Sequence, residues 1–142
     1  MIEKYCLNRD TLPTIPVPHD CVIKNVNITG EFLTFTFNSD IANYDSIKFT
    51  HPDAKSLIIR FHLLSDDGDS VDVYRSVPDK TGERFDYKHI NTDEFTALSG
   101  EQLEYLYHYV CYGQMMIKLW YTSYFLIELS SDYVEFEWED VT

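Results

Sequence analysis

The segment His19-Asp20-Cys21 puts an imidazole, a carboxylate and a thiol in consecutive positions. In an extended chain His19 and Cys21 share a face, a spacing that permits a metal pair or a thiolate–imidazole couple. No neighbouring residue is placed to orient the imidazole, and Cys21 opens an apolar strand in which a free thiol ordinarily just packs. The run Asp66-Asp67-Gly68-Asp69 offers carboxylates to a cation. It lacks the alternating Asp spacing and closing Glu of an EF-hand loop, and turns between strands draw Asp and Gly for backbone reasons alone. His51, His62, His89 and His108 fall on separate segments with no HxH or HxxxH spacing, and His62 would meet His89 only if their strands were neighbours. No GxSxG elbow, P-loop or GxGxxG turn is present. The residues therefore specify no catalytic group, no metal site and no cofactor.

What has a chemical character is the acidic end of the chain. After Lys118 there is no Lys or Arg, while Glu128, Asp132, Glu135, Glu137, Glu139 and Asp140 follow. Two carboxylates on paired strands also suit acid–base hydrolysis, although nothing marks either with a raised pKa. Like charges opposite one another across a hairpin are destabilising. Lys24, Lys48, Lys55 or Arg60 on neighbouring strands, or a partner, would have to neutralise the row. The row also protects an end strand from pairing with another chain. Glu135, Glu137 and Glu139, with Glu128 and Trp120, are the candidate binding residues.

These side chains depend on strands. From Gln114 to Trp138 the sequence reads as three short strands, Met116–Tyr121, Tyr124–Leu129 and Tyr133–Trp138. Ile117, Leu119 and Tyr121 share a face in the first, and Phe125, Ile127 and Leu129 in the second. In the third, Val134, Phe136 and Trp138 oppose Glu135, Glu137 and Glu139. A period of two puts alternate side chains on opposite faces, one apolar and one acidic. Upstream, Cys21–Ile28 and Phe32–Phe37 form a hairpin around Thr29-Gly30, with positive φ expected at the glycine. Ser46–Thr50 reads as a weak strand. Ser56–Leu64 turns Leu57, Ile59, Phe61 and Leu63 inward, and Val71–Val77 and Phe85–Ile90 continue the β rhythm. One short helix is expected at about Asp93–Leu98, with Thr92 as N-cap and Gly100 ending the turn. Glu101–Tyr112 fits either a helix or a strand; four tyrosines in the segment favour a strand, alternating Leu103, Tyr105, Tyr107 and Tyr109 against Glu104, Leu106, His108 and Val110. Leu12–Pro18, with its three prolines, is an extended lead-in outside or at the edge of any sheet, and residues 1–18 are read together as that lead-in.

The totals agree. A chain of 142 residues, 44% apolar and 15% aromatic, suits one domain with a full core. The expected fold is mainly β: a single-domain antiparallel sandwich or barrel of about nine or ten short strands with one short helix. Twenty-four acidic residues against eleven basic ones give a formal net charge of −13. Such a body repels nucleic-acid backbones and anionic membrane surfaces and suits a basic protein partner. The odd number of cysteines, Cys6, Cys21 and Cys111, and the absence of an apolar leader favour reduced thiols and a cytoplasmic location.

Pro18-His19-Asp20-Cys21-Val22-Ile23 before a hairpin, His51-Pro52-Asp53-Ala54-Lys55-Ser56 and the acidic terminal strands resemble uncharacterised small β-rich proteins of Gram-positive bacteria. The resemblance implies no activity and carries over no residue role. In general character the chain is similar to small acidic immunity proteins of toxin systems. The function expected is non-enzymatic binding of a basic protein through the acidic sheet face. The alternative is a small-molecule-binding or hydrolytic β-barrel whose tyrosines and Trp120 line a pocket.

Overall fold

A computed structural model describes residues 1–7, 12–65 and 70–140; the Asp66–Asp69 run lies outside them. The described residues form nine antiparallel strands. In order, these are β1 Ile2–Cys6, β2 Val22–Ile28, β3 Phe32–Phe37, β4 Ala54–Leu63, β5 Val71–Pro78, β6 Phe85–Ile90, β7 Leu103–Cys111, β8 Gln114–Tyr121 and β9 Ser123–Asp140. Two short helices, α1 Asp45–Lys48 and α2 Thr92–Thr96, interrupt them.

Strands pair in the order β4-β3-β2-β7-β8-β9, and β9 returns to β4, so six strands close a barrel. Closure rests on the length of β9, 18 residues, which replaces the two separate strands expected from Tyr124 onward. Its first half pairs with β8 on one edge and β5 on the other; its second half pairs with β1 and β4. Asp132 is the residue that joins the halves. His62 aligns with Tyr133 and Leu63 with Ser131, leaving Asp132 as a bulge. An extra residue in one strand reverses which side chains point inward. Phe125, Ile127, Leu129 and Ser131 are buried before the bulge, and Val134, Phe136 and Trp138 after it. At the Tyr112-Gly113 turn, with φ +69° at Gly113, the backbone joins β1 to β9: Gly113 N–H donates to Leu7 O and Ser131 N–H to Gly113 O.

The interior is filled by large apolar groups. Phe35, Phe61, Tyr105, Phe125 and Phe136 are fully buried, and Phe95 of α2 packs beside Phe35 and Phe125 at ring distances of 6.5 and 6.2 Å. Burial of this apolar area is the main source of stability, at about 25 cal/mol per Å2.

Several sequence expectations change. There are two short helices rather than one. Ser46–Thr50 is not a strand: Asp45 and Lys48 pair at 2.7 Å across one helical turn, burying Ile47 and leaving Phe49 exposed. Two apolar residues with one between them fit either period, so the pattern was too short to decide. The N-cap of α2 is Asn91, whose Oδ1 accepts from Glu94 N–H at 2.8 Å. Gly30 does not take positive φ; Thr29 Oγ1 closes that turn by accepting from Glu31 and Phe32 N–H. The lead-in begins with a true strand, β1. Glu101–Tyr112 is a strand, as the tyrosines indicated, but with a shift of register between Tyr105 and Tyr107 that leaves Leu106 as a bulge. Tyr107 and Tyr109 therefore face outward with Glu104, while His108 and Val110 turn towards the core.

Candidate binding face

The His19-Asp20-Cys21 segment serves the architecture. His19 Nδ1–H donates to Leu106 O at 2.6 Å, satisfying the carbonyl that the bulge leaves unpaired, and its Nε2 lies 3.3 Å from Asp20 Oδ1. Asp20 N–H donates to Tyr105 O, and Tyr105 N–H to Cys21 O. Cys21 is buried, and desolvation pushes its thiol up to about 11, above the usual range, against a weaker lowering by Ser46. A thiol held neutral is neither a nucleophile nor a metal ligand at physiological pH. His62 and His89 do not meet. His62 Nδ1–H donates to Asp132 Oδ1 at 2.6 Å across the β4–β9 ladder, whereas His89 Nε2–H on the outer strand β6 donates to Asp72 Oδ1 at 3.2 Å. Among the described residues no three His, Cys, Asp or Glu side chains converge as a metal set.

The acidic row is largely met within the chain. Arg60 donates to Glu137 at 2.8 Å, Lys55 lies 3.1 Å from Glu139, and Ser56 also donates to Glu139. Glu135 sits in register between Arg60 on β4 and Lys4 on β1. Of the cations expected to neutralise the row, Lys55 and Arg60 do so from β4. The five candidate residues thus divide. Glu135, Glu137 and Glu139 lie on the second half of β9 among these cations. Glu128 and Trp120 lie on a different part of the outer surface.

That part spans β7, β8, the first half of β9, β5 and β6. Its registers align outward side chains in rows. Glu104, Trp120 and Tyr124 form one; Tyr107, Lys118, Leu126, Tyr74 and His89 the next; Tyr109, Met116, Glu128 and Asp72 a third. Phe85 and Tyr87 of β6 close the side. Phe85, Tyr87, Tyr107, Tyr109 and Trp120 are between 37% and 63% exposed, and they form a continuous run. Phe85 meets Tyr124 edge-on at 5.9 Å, Tyr124 meets Trp120 at 4.8 Å, and Tyr107 meets Tyr109 at 5.4 Å. Lys118 Nζ bridges them, 4.5 Å from the Tyr124 ring centroid and 5.7 Å from that of Tyr107. Desolvation pulls the Lys118 pKa down, but its hydrogen bond to Tyr107 and the proximity of Tyr87 outweigh this and raise it above the usual value. The ammonium is thus fixed in its charged form against the rings, an attraction of about 0.5–1 kcal/mol at an exposed site. The face ends, towards the Tyr112-Gly113 turn, in a cavity of about 520 Å3.

Thr122, at the tip of the β8–β9 hairpin beside Trp120 and Tyr124, has φ +53°. A β-branched residue in that region is strained.

On this face the sequence reading names Trp120 and Glu128 as candidates and does not name Tyr107, Tyr109, Tyr124, Phe85, Tyr87 or Lys118. Strict alternation groups Tyr107 and Tyr109 with Leu103 and Tyr105, and the bulge at Leu106 separates them. Strand β6 carried a usable signal: Phe85, Tyr87 and His89 alternate with Asp86 and Lys88, so one side of an edge strand is aromatic. The alternative of an aromatic-lined pocket inside a barrel meets an interior filled by Phe35, Phe61, Tyr105, Phe125 and Phe136.

No family model matches the chain, and neither a curated protein nor a solved structure matches it. Among the described residues, no helix is long and apolar enough to cross a membrane.

Proposed function

We propose that the chain is a binding protein that docks a basic protein partner on the outer face of β7-β8-β9-β5-β6. One observation carries the reading: five partly exposed aromatic side chains from three strands gather on one sheet face. Large exposed apolar patches on a compact domain mark interaction sites, and Tyr and Trp dominate the energy of protein interfaces. The sign of the partner follows from charge. Glu104, Glu128 and Asp72 flank the rings, the chain carries −13, and Lys118 already spends its charge on Tyr107 and Tyr124. A second copy of this chain would bring the same excess of negative charge, and a polyanion would be repelled. This keeps Trp120 and Glu128 as binding residues and gives Glu137 and Glu139, paired with Arg60 and Lys55, the task of holding β9 against β4.

The test is selection of peptides from a random displayed library on the full chain. Expected winners combine Lys or Arg with apolar residues, and their affinity falls as salt is raised. Trp120→Ala/Phe85→Ala should weaken them about thirtyfold, the loss of an aromatic anchor being worth about 2 kcal/mol. Peptides that bind the double variant equally, or whose affinity ignores salt, overturn the reading.

A further inference from the structure

The cavity at the end of the aromatic face has walls of two chemical kinds. Tyr109 and Met116 supply a ring and a polarisable thioether; Asp72 and Glu128 supply two carboxylates. The two acids are direct cross-strand partners on β5 and β9, an arrangement that like charges disfavour. Elsewhere on the barrel such carboxylates have internal cations: Arg60 meets Glu137 and Lys55 meets Glu139. Here the described residues supply neither Lys nor Arg. Among the described residues Asp72 has only His89, itself exposed, and Glu128 makes no ion pair. The negative field of the pair reaches Tyr74 between them and β6, whose hydroxyl is raised by desolvation and then by Glu128 and Asp72.

From these walls we infer that the cavity receives an arginine side chain of the docked partner. This deepens the docking reading and rests on it. A guanidinium is planar and always charged, and its forked donors reach two carboxylates at once while its face lies on an aromatic ring. An ammonium is a compact, strongly hydrated point charge and makes less use of Tyr109 and Met116. Occupation would relieve the repulsion between Asp72 and Glu128 and bury the part of Tyr109 that is now exposed.

The experiment is an amide NMR titration of the full chain with N-acetyl-arginine methylamide, its lysine counterpart and its neutral citrulline counterpart. The arginine probe should shift the amides of Asp72, Tyr109, Met116 and Glu128. The citrulline probe should leave them in place, and the lysine probe should bind more weakly. Asp72→Asn/Glu128→Gln, both near-isosteric, should weaken the arginine probe about tenfold, the scale of one charged hydrogen bond, with the rest of the spectrum unchanged. The inference is overturned by no shift at those amides, by equal shifts with citrulline, by a lysine probe that matches arginine, or by shifts that survive the double substitution. Failure of this site and failure of the docking face are separable. Selected peptides that lose affinity with Trp120→Ala/Phe85→Ala but not with Asp72→Asn/Glu128→Gln leave the face standing without an arginine site. Peptides indifferent to the aromatic substitutions remove the face whatever the probes do.

Discussion

Cys21, buried, and His108, half-buried, show how position, rather than residue type, sets chemistry. Cys21 is enclosed and its thiol is pushed up to about 11, whereas Cys111 is exposed. Treatment with iodoacetamide at pH 8 followed by peptide mass spectrometry should modify Cys111 and spare Cys21 in the folded chain; equal labelling would show that the Cys21 strand opens readily. His108 accepts from Tyr105 O–H and donates from Nε2 to Ile15 O at 3.1 Å, tying the proline-containing lead-in to β7. Burial lowers its pKa, opposed by the bond to Ile15. The unfolded imidazole takes up a proton near pH 6.5 while the folded one resists. Stability therefore falls as pH drops through that value and levels off below the folded pKa. The urea midpoint should be lower at pH 5.5 than at pH 7.5. In His108→Gln, whose amide keeps one donor and one acceptor, the difference should shrink. A difference that persists in the variant would assign it to another group.

At the scale of elements, the alternation of apolar residues was enough to find β2, β3, β4, β7 and β8 and the inward rows of β9. What it could not supply was the phase across an irregularity. Nothing in the local sequence announces that Leu106 or Asp132 is skipped by its partner strand; those bulges are set by what lies across the ladder, His19 for one and His62 for the other. Parity carried past Leu106 puts Tyr107 and Tyr109 on the wrong face, whereas Glu135, Glu137 and Glu139 beyond Asp132 are placed outward because Tyr133–Trp138 is read as a strand of its own. The acidic row is legible as a pattern, but the cations that meet it, Lys55 and Arg60, come from β4, far away in sequence and adjacent only after closure. The β8–β9 hairpin offers a direct test of element energetics. A non-glycine residue in the left-handed region costs about 1–2 kcal/mol, part of which glycine gives back through its more flexible unfolded state. Thr122→Gly should raise stability by about 1 kcal/mol, a Tm increase of about 4 °C by calorimetry. A fall in Tm would mean that the threonine makes contacts worth more than its strain.

For the whole molecule, β9 touches four other strands, and the barrel closes only through it. Phe136 is 1% exposed, meets Tyr5 edge-on at 5.5 Å and lies on the half of β9 that contacts β1 and β4. Phe136→Ala should cost about 3–5 kcal/mol, including the cavity it leaves. Against a total of about 5–15 kcal/mol for a domain, such a loss is large. Because the affected strand is shared by all parts of the barrel, far-UV and near-UV dichroism should report one coincident transition moved to lower urea. Separate transitions would show that the β5–β6 hairpin holds its structure without the barrel.

The place of β9 in chain order has a consequence for biosynthesis. Each of its four partners leaves the ribosome before Ser123 does, so the growing polypeptide carries β1, β4, β5 and β8 with unpaired edges until β9 has been made. Nascent chains arrested before that point should be open to protease and prone to chaperone capture, and acquisition of resistance should come in one late step. The same dependence makes any premature stop upstream of Ser123 a loss of the entire fold rather than of one strand.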